Sequence, residues 1–445
     1  MSIRIAKIRK VANTLLHKLD RTVFPVERLV RGRVGSKSPA TGARKLVLVT
    51  TDYPPIVSGG IYRTVGLVTA AKARGWEVEV VVPRVSHKGR SLDPYMADRG
   101  QIADRVHDIA PPQRDIKRGW IRDVHGGMDQ AMATFRQISN LQEAAPDFVI
   151  ASGPSFLSFV AAYWLAQYWR CRLVLDYRDE WTTHAHQLFL RTPVYEKEWE
   201  RRCLGMADWI TVTTVAQKSN LVDAFGLGRR ADRFIVMPNG WDRADCMSPV
   251  PSVEQRPGTG IPQLGYFGSL RKTTFIPALF EALAETGSAG KGVPQLHIYG
   301  DIRVEEALLD AAIAAGNVVL HPNIPKSEVF GLMVRMDGLV ASFADGLGDY
   351  LPGKLADYLA SDRPVLFIGP DGEAAKLVRE LGAGRHLQGS DSDEIKRVCA
   401  ELLNDPAERY DTAARAAWRE NNERHVLMER LLETCHLPLW RYSCG

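Results

Sequence analysis

Four places in the sequence hold residues able to grip an anionic or sugar-like ligand. Gly59 and Gly60, in DYPPIVSGGIYRT, follow the apolar run KLVLVT and precede a helical pattern. Without Cβ atoms, backbone N–H groups there can approach a phosphate or sugar closely, helped by the positive end of the helix dipole. Arg178 and Asp179, in VLDYRDEW, come straight after another apolar run. Gly268, Arg271 and Lys272 do the same in YFGSLRKTT. In DYLPGKLADYLA, Lys354 lies near a helix start between Asp349 and Asp357, two carboxylates with seven residues between them. Each place also has a reading without a ligand: a tight strand-to-helix turn for the glycines, a solvated basic pair for Arg271 and Lys272, a helix cap for Asp349, and a cap or ion pair with Arg178 for Asp179.

These residues need strands to carry them. KLVLVT (45–50), VEVVVP (78–83), DFVIAS (147–152), RLVLDY (172–177), WITVTT (209–214) and FIVMP (234–238) are apolar runs without alternation, as expected of parallel strands covered on both faces. Helical patterns separate most of them, the signature of a doubly wound α/β domain. After a Pro-, Gly- and Ser-rich stretch at 247–262, a second series begins: LGYFGSL (264–270), QLHIYG (295–300), NVVLHP (317–322), DGLVASF (337–343) and RPVLFIG (363–369). The expectation is two tandem Rossmann-like domains, 46–246 and 263–404, facing a cleft. A helical tail at 405–445 packs back on the first. Ligands of open α/β sheets bind outside the carboxyl ends of the strands, which is where the four places fall. The polar stretch 84–127 reads as a solvated insertion.

Composition narrows the function. The chain has 445 residues and six scattered cysteines, and no signal peptide precedes the first strand, so a reduced, cytoplasmic protein is expected. FLSFVAAYWLAQYW (156–169) is too short to cross a bilayer and reads as a core helix. Residues 1–45 carry twelve Lys/Arg against Asp20 and Glu27, a surplus of ten, so the rest is net negative by five within a total of +5. Ile5, Ile8, Val11, Leu15, Leu19 and Val23 form an apolar stripe among these bases. The arm is expected to bind an anionic membrane surface and hold the protein peripherally on the inner face of the cell membrane. Packing on its own globule, a floppy tail and a mitochondrial presequence are the alternatives. No GxGxxG is present, which disfavours a nicotinamide enzyme. His184 and His186 lack a surrounding Cys/His cluster, so no metal site is expected. The tryptophans read as core, with no nucleic acid platform.

Three segments, taken in order, carry a resemblance. DYPPIVSGGIYRTVGLVTAAKARGWEVEVVVP resembles the opening of the retaining, family-4-type glycosyltransferases of the GT-B fold. YFGSLRKTTFIPALFEAL is similar to their first C-terminal-domain strand, basic loop and helix, and DYLPGKLADYLASDRPVLFIG to the PSKLFEYLAAGKPVL segment of their donor site. VLDYRDEW resembles the RDLW pattern of bacterial members that build surface polysaccharides, and Asn239 and Gly240 match the PNG that ends the first domain. The similarity spans about residues 45–435.

The resemblance implies a nucleotide-sugar donor and a glycan or lipid-linked acceptor, with no cofactor, since the nucleotide sugar is a substrate, and no essential metal. Gly59, Gly60, Gly268, Arg271, Lys272, Lys354 and Asp357 would bind the donor, Asp357 through the ribose hydroxyls. Asp349 would face the donor sugar or its diphosphate, and Asp179, supported by Arg178, would orient the acceptor or act as base. Two departures stand out: Arg271 and Lys272 are adjacent where the family spaces its Arg and Lys, and both carboxylates are Asp where the family has Glu. The runners-up are a nucleotide-sugar 2-epimerase on the same fold and a degenerate binding subunit without catalysis.

Overall fold

The computed structural model describes residues 44–55, 58–83, 99–110, 121–141, 145–183, 193–246, 261–285, 294–389, 391–405 and 407–436. The basic arm before Arg44, His184 and His186, and most of the 247–262 stretch lie outside the described residues. The chain divides into two compact units: Met1–Thr213, Gln217–Met237 and Met428–Gly445 form the first, Thr214–Ala216 and Pro238–Leu427 the second.

The first unit is built on a seven-stranded parallel sheet. Its strands are β1 (Lys45–Thr50), β2 (Glu77–Pro83), β3 (Arg105–Ile109), β4 (Phe148–Gly153), β5 (Arg172–Tyr177), β6 (Trp209–Val212) and β7 (Phe234–Val236), in the order β3-β2-β1-β4-β5-β6-β7. Residues Leu46–Thr50 and Phe148–Gly153 are buried throughout, because helices cover both faces and no position can stay polar without a partner. The covering helices include α1 (Ile61–Ala73), α2 (Ile121–Leu141), α3 (Leu157–Trp169), α4 (Pro193–Met206) and α5 (Val215–Phe225). Helix α1 stops at Gly75, whose φ of +72° no β-carbon residue adopts cheaply. Gly75 N–H donates to Lys72 O at 2.9 Å and Trp76 N–H to Ala71 O at 3.1 Å, closing the last turn. The apolar stretch expected as a core helix is α3; its Phe159 and Trp164 pack in a ring cluster with Phe135, Tyr177 and Trp199.

Part of the 84–127 stretch is not the solvated insertion expected. Arg105–Ile109 forms β3, paired in parallel with β2 from Glu79↔Arg105 to Pro83↔Ile109, and α2 starts at Ile121. The strand sits at a sheet edge and buries only Ile109, so its sequence, RVHDI, lacks the apolar run by which the inner strands were recognised.

The second unit repeats the plan with six parallel strands: β8 (Gln263–Phe267), β9 (Gln295–Tyr299), β10 (Val318–His321), β11 (Gly338–Ser342), β12 (Val365–Ile368) and β13 (Gly384–Leu387), in the order β10-β9-β8-β11-β12-β13. Its helices are α6 (Arg243–Cys246), α7 (Pro277–Ala284), α8 (Ala307–Ala314), α9 (Lys326–Met333), α10 (Gly353–Ala360), α11 (Glu373–Glu380), α12 (Ser392–Asn404) and α13 (Ala413–Asn421). Arg415 of α13 is fully buried and donates to the carbonyls of Leu359, Tyr358, Arg363 and Tyr410 at 2.9–3.0 Å. It thereby caps the end of α10 with side-chain donors. The last helix, α14 (Arg424–His436), begins in the second unit and ends in the first, where Glu429 and Glu433 pair with Arg74 and the Cys435 carbonyl accepts from Arg172.

Candidate functional site

In both sheets the strand order reverses at one place, between β1 and β4 in the first and between β8 and β11 in the second. Loops leave such a switch point in opposite directions and open a crevice at the carboxyl ends of the strands. Some of the sequence-derived residues meet there: Gly60 with Arg178 in the first unit, and Lys354 with the end of β8 in the second.

In the second unit, β8 ends at Phe267 and Gly268 turns with φ +119°. A Cβ on neighbouring Gly300 would stand 2.6 Å from the Gly268 carbonyl oxygen, so the ends of β8 and β9 lie backbone against backbone. The turn that follows is self-braced: Arg271 N–H donates to Thr274 Oγ1 at 3.0 Å, while Thr274 N–H and Phe275 N–H donate back to the Arg271 carbonyl at 2.8 Å. From β11, Ser342 Oγ donates to Thr274 O at 2.6 Å, and Ala344 N–H to Thr273 O at 2.9 Å. The Arg271 and Lys272 side chains are exposed on this fixed loop.

Helix α10 enters beside it. Pro352 precedes its first residue with φ −57°, as suits a helix start. Two side chains one turn apart then face the end of β8. Phe267 N–H donates to Tyr358 Oη at 2.8 Å, and the Lys354 Nζ lies 3.1 Å from the Tyr266 ring centroid. Lys354 keeps part of its stem exposed, but its nitrogen is buried and has no hydrogen-bond partner. Burial pulls its pKa well below the ordinary lysine range. The Tyr266 hydroxyl is held by Ser269 O and Thr274 Oγ1 at 3.2 and 3.0 Å, and burial pushes its pKa up to about 12.

Asp357, on the same helix, accepts from Lys326 Nζ at 2.7 Å. Lys326 begins α9 and also lies 3.5 Å from Asp245 of α6, whose carboxyl is buried. Burial raises the Asp245 pKa against the pull of Lys326, and the charges of Asp242 and Asp357 add to the rise. Asp349 is exposed in the loop leading to α10. Lys326 and Asp245 were not among the residues read from the sequence. Their only sequence signal is an acid and a base in short helices far apart along the chain.

In the first unit, the space over Gly60 is filled. A Cβ there would fall inside the Arg178 guanidinium and 2.5 Å from Asp52 Oδ2. Arg178 is buried; its Nη2 donates to Asp52 Oδ2 at 2.5 Å and to Pro154 O at 3.0 Å, and its Nε to Gly153 O. Gly60 has φ −86°, open to any residue, so glycine is required here for room alone. Its neighbour Gly59 has nothing within 4 Å of a built Cβ. Arg178 thus ties β5 to the loops after β1 and β4, while Asp179 is exposed beyond it.

Beneath lies a second buried pair. Asp176 of β5 accepts from Arg63 at 2.7–3.0 Å, from Ser152 Oγ at 2.8 Å and from Thr211 Oγ1 at 2.5 Å; Arg63 also donates to Met237 O at 2.9 Å. Burial opposes the Asp176 charge, but Arg63 and the two hydroxyls outweigh it and hold the carboxyl below its usual range. Glu200, also buried, accepts from Thr182 N–H at 3.1 Å and from the Thr182 hydroxyl; burial raises its pKa to about 7. The sequence signal for Asp176 was a lone carboxylate inside an apolar strand, which demands a partner.

Two parallel six- and seven-stranded Rossmann-like sheets in tandem, each with charged residues at its switch point, define the architecture. The chain has the GT-B fold. Residues 58–240 match the family described as Glycosyl transferase 4-like domain. No curated protein matches. Among solved GT-B structures, Anabaena Alr3699/HepE in complex with UDP-glucose superposes with a TM-score of 0.64 at 15% identity, over 88% of this chain and 98% of that one. Sucrose-phosphate synthase from Thermosynechococcus elongatus gives 0.66 at 16%, over 88% and 98%. WaaG, a glycosyltransferase involved in lipopolysaccharide biosynthesis, gives 0.58 at 14%, over 88% and 100%. Among the described residues of this GT-B chain, no helix is long and apolar enough to cross a membrane.

Proposed function

We propose that the protein transfers a sugar from a nucleotide-diphosphate donor to a glycan or lipid-linked acceptor with retention of configuration, in polysaccharide biosynthesis. The observation that carries the donor reading is Lys354. A buried amine without a hydrogen-bond partner is a cost to the fold, and a diphosphate at the β8–β11 switch point would give it acceptor oxygens and a negative charge. The matched 58–240 segment and the GT-B fold support the transferase class.

Each residue then has a task. Lys354, Arg271 and Lys272 meet the charge that develops on the leaving diphosphate, with Gly268 letting the backbone approach; these cations make a metal unnecessary. Asp357 holds the ribose hydroxyls and Asp349 faces the sugar. As the bond from the anomeric carbon to the diphosphate oxygen breaks, the acceptor oxygen bonds the same face of that carbon. Its proton passes to the departing diphosphate, and Asp179 orients the acceptor. Arg178 supports it indirectly by fixing the β5 end against Asp52. The arm before Lys45 brings the enzyme to anionic lipid.

A thermal-shift panel of UDP-, GDP-, dTDP- and ADP-sugars tests the donor reading. One of them should raise the melting temperature, because a ligand of the native state stabilises it by mass action, and Lys354→Ala and Asp357→Ala should each remove the rise. No shift with any donor refutes it, and an epimerised sugar formed from donor alone replaces transfer with epimerisation.

A further inference from the structure

We propose that the amine of Lys354 is neutral in the free protein and takes up one proton when a nucleotide-diphosphate sugar binds, so that donor affinity is linked to pH. The inference rests on the donor reading above and adds to it the charge state of Lys354 before donor binds.

The geometry carries it. Lys354 Nζ has no solvent exposure, no hydrogen-bond acceptor and no carboxylate within ion-pair distance among the described residues. The ionisable groups around it are all directed elsewhere. Tyr266 on β8 lies under it face-on, with its hydroxyl held by Ser269 and Thr274. Tyr358 on α10 accepts from Phe267 N–H. Asp357, also on α10, is engaged by Lys326. Arg271, Lys272, Asp345 and Asp349, on the two flanking loops, are exposed. Of the elements against which α10 packs, β11 has no ionisable residue, and Arg415 of α13 is spent on backbone carbonyls. An ammonium in that position exchanges its whole hydration shell for the face of one ring, which replaces only part of what is lost. A neutral amine has no such deficit and can direct its hydrogens at the ring face. The burial-driven fall in pKa agrees in direction. A diphosphate arriving above Lys354 restores a counter-charge, which favours the ammonium and draws a proton from solvent.

Calorimetric titration with UDP-glucose, whose diphosphate diester does not titrate between pH 6 and 9, measures the proton directly. Run at pH 8 in buffers of different ionisation enthalpy, it should show uptake of about one proton, with Kd weakening about ten-fold per pH unit between pH 7 and 9. Lys354→Arg, which stays charged, should bind without uptake, whereas Lys354→Met, which lacks the cation, should bind too weakly to give a heat. GDP-mannose, dTDP-glucose and ADP-glucose follow if UDP-glucose gives no heat. Binding without uptake, or uptake that survives in either variant, overturns the inference; absence of binding by all four sinks the donor reading itself.

A donor-free measurement decides the charge state independently. A base whose pKa is depressed by folding is protonated only in the unfolded chain between the two pKa values, so stability rises with pH there. Relative to Lys354→Met, the wild-type unfolding constant should fall up to ten-fold per pH unit between pH 7 and 9. A flat difference shows the amine charged in the free protein and refutes the proposal.

Discussion

Replacing Gly60 by alanine should damage the first unit far more than the same change at Gly59, although the two are neighbours. The added methyl at Gly60 must displace the Arg178 guanidinium, which is bonded to Asp52, Gly153 O and Pro154 O in a buried place. Overfilling a packed site costs about 1–3 kcal/mol, and parting a buried ion pair about 3–5 kcal/mol when one charge is stranded. Both charges survive here, so the lower part of that range applies. The φ of −86° is compatible with alanine, and the stiffer unfolded chain returns about 0.4–1 kcal/mol. The net expectation is a loss of about 2–3 kcal/mol for Gly60→Ala and a change within about 0.5 kcal/mol for Gly59→Ala. Urea unfolding followed by tryptophan fluorescence reads both. The mechanism is isolated by repeating Gly60→Ala in an Arg178→Ala background, where the obstruction is gone and the methyl should cost almost nothing. Equal midpoints for the two single variants, or an undiminished loss without Arg178, would show that the guanidinium is not what needs the glycine.

Three further outcomes can be checked. Glu200 binds its proton with a pKa of about 7 when folded against 4.5 unfolded, so the native state holds the extra proton between those values and stability falls as pH rises through them. Denaturation at pH 4.5 and 8 should show wild type losing about 3 kcal/mol more than Glu200→Gln over that interval. Asp362 has φ +60°, and glycine occupies the matching place in the PSKLFEYLAAGKPVL pattern. Asp362→Gly should therefore stabilise by about 1 kcal/mol, less a small loss for the exposed pair with Arg419, seen as a higher melting temperature. Arg415→Leu strands the carbonyls of Leu359, Arg363 and Tyr410, while Tyr358 O keeps Ser361 as donor, and should cost about 3 kcal/mol or more by thermal denaturation.

What the sequence made legible follows from how each feature is encoded. Inner strands such as KLVLVT and RLVLDY are covered on both faces and advertise themselves as unbroken apolar runs. The edge strands RVHDI and GRHL have one neighbour each and are mostly part-exposed, so they carry polar residues and passed unread. The same logic governs the sites. Lys354 announced itself through a local motif. The Arg63–Asp176 pair, 113 residues apart, and the Lys326–Asp357 pair, 31 apart, exist only once the sheets are assembled. Of the two glycines expected to admit a ligand, Gly60 is closely approached by the protein's own Arg178, 118 positions along the chain, and Gly59 by nothing within 4 Å of a built Cβ.

The return of α14 to the first unit has a consequence for how the chain is made. Arg74 and Arg172 find their partners at Glu429, Glu433 and Cys435, all translated after every strand of the second sheet. The earlier-made sheet therefore gains those contacts only at the very end of synthesis. A chain truncated after Leu427 would hold every residue of the second unit and lack the last segment of the first, so the first sheet to be made is the last to be completed.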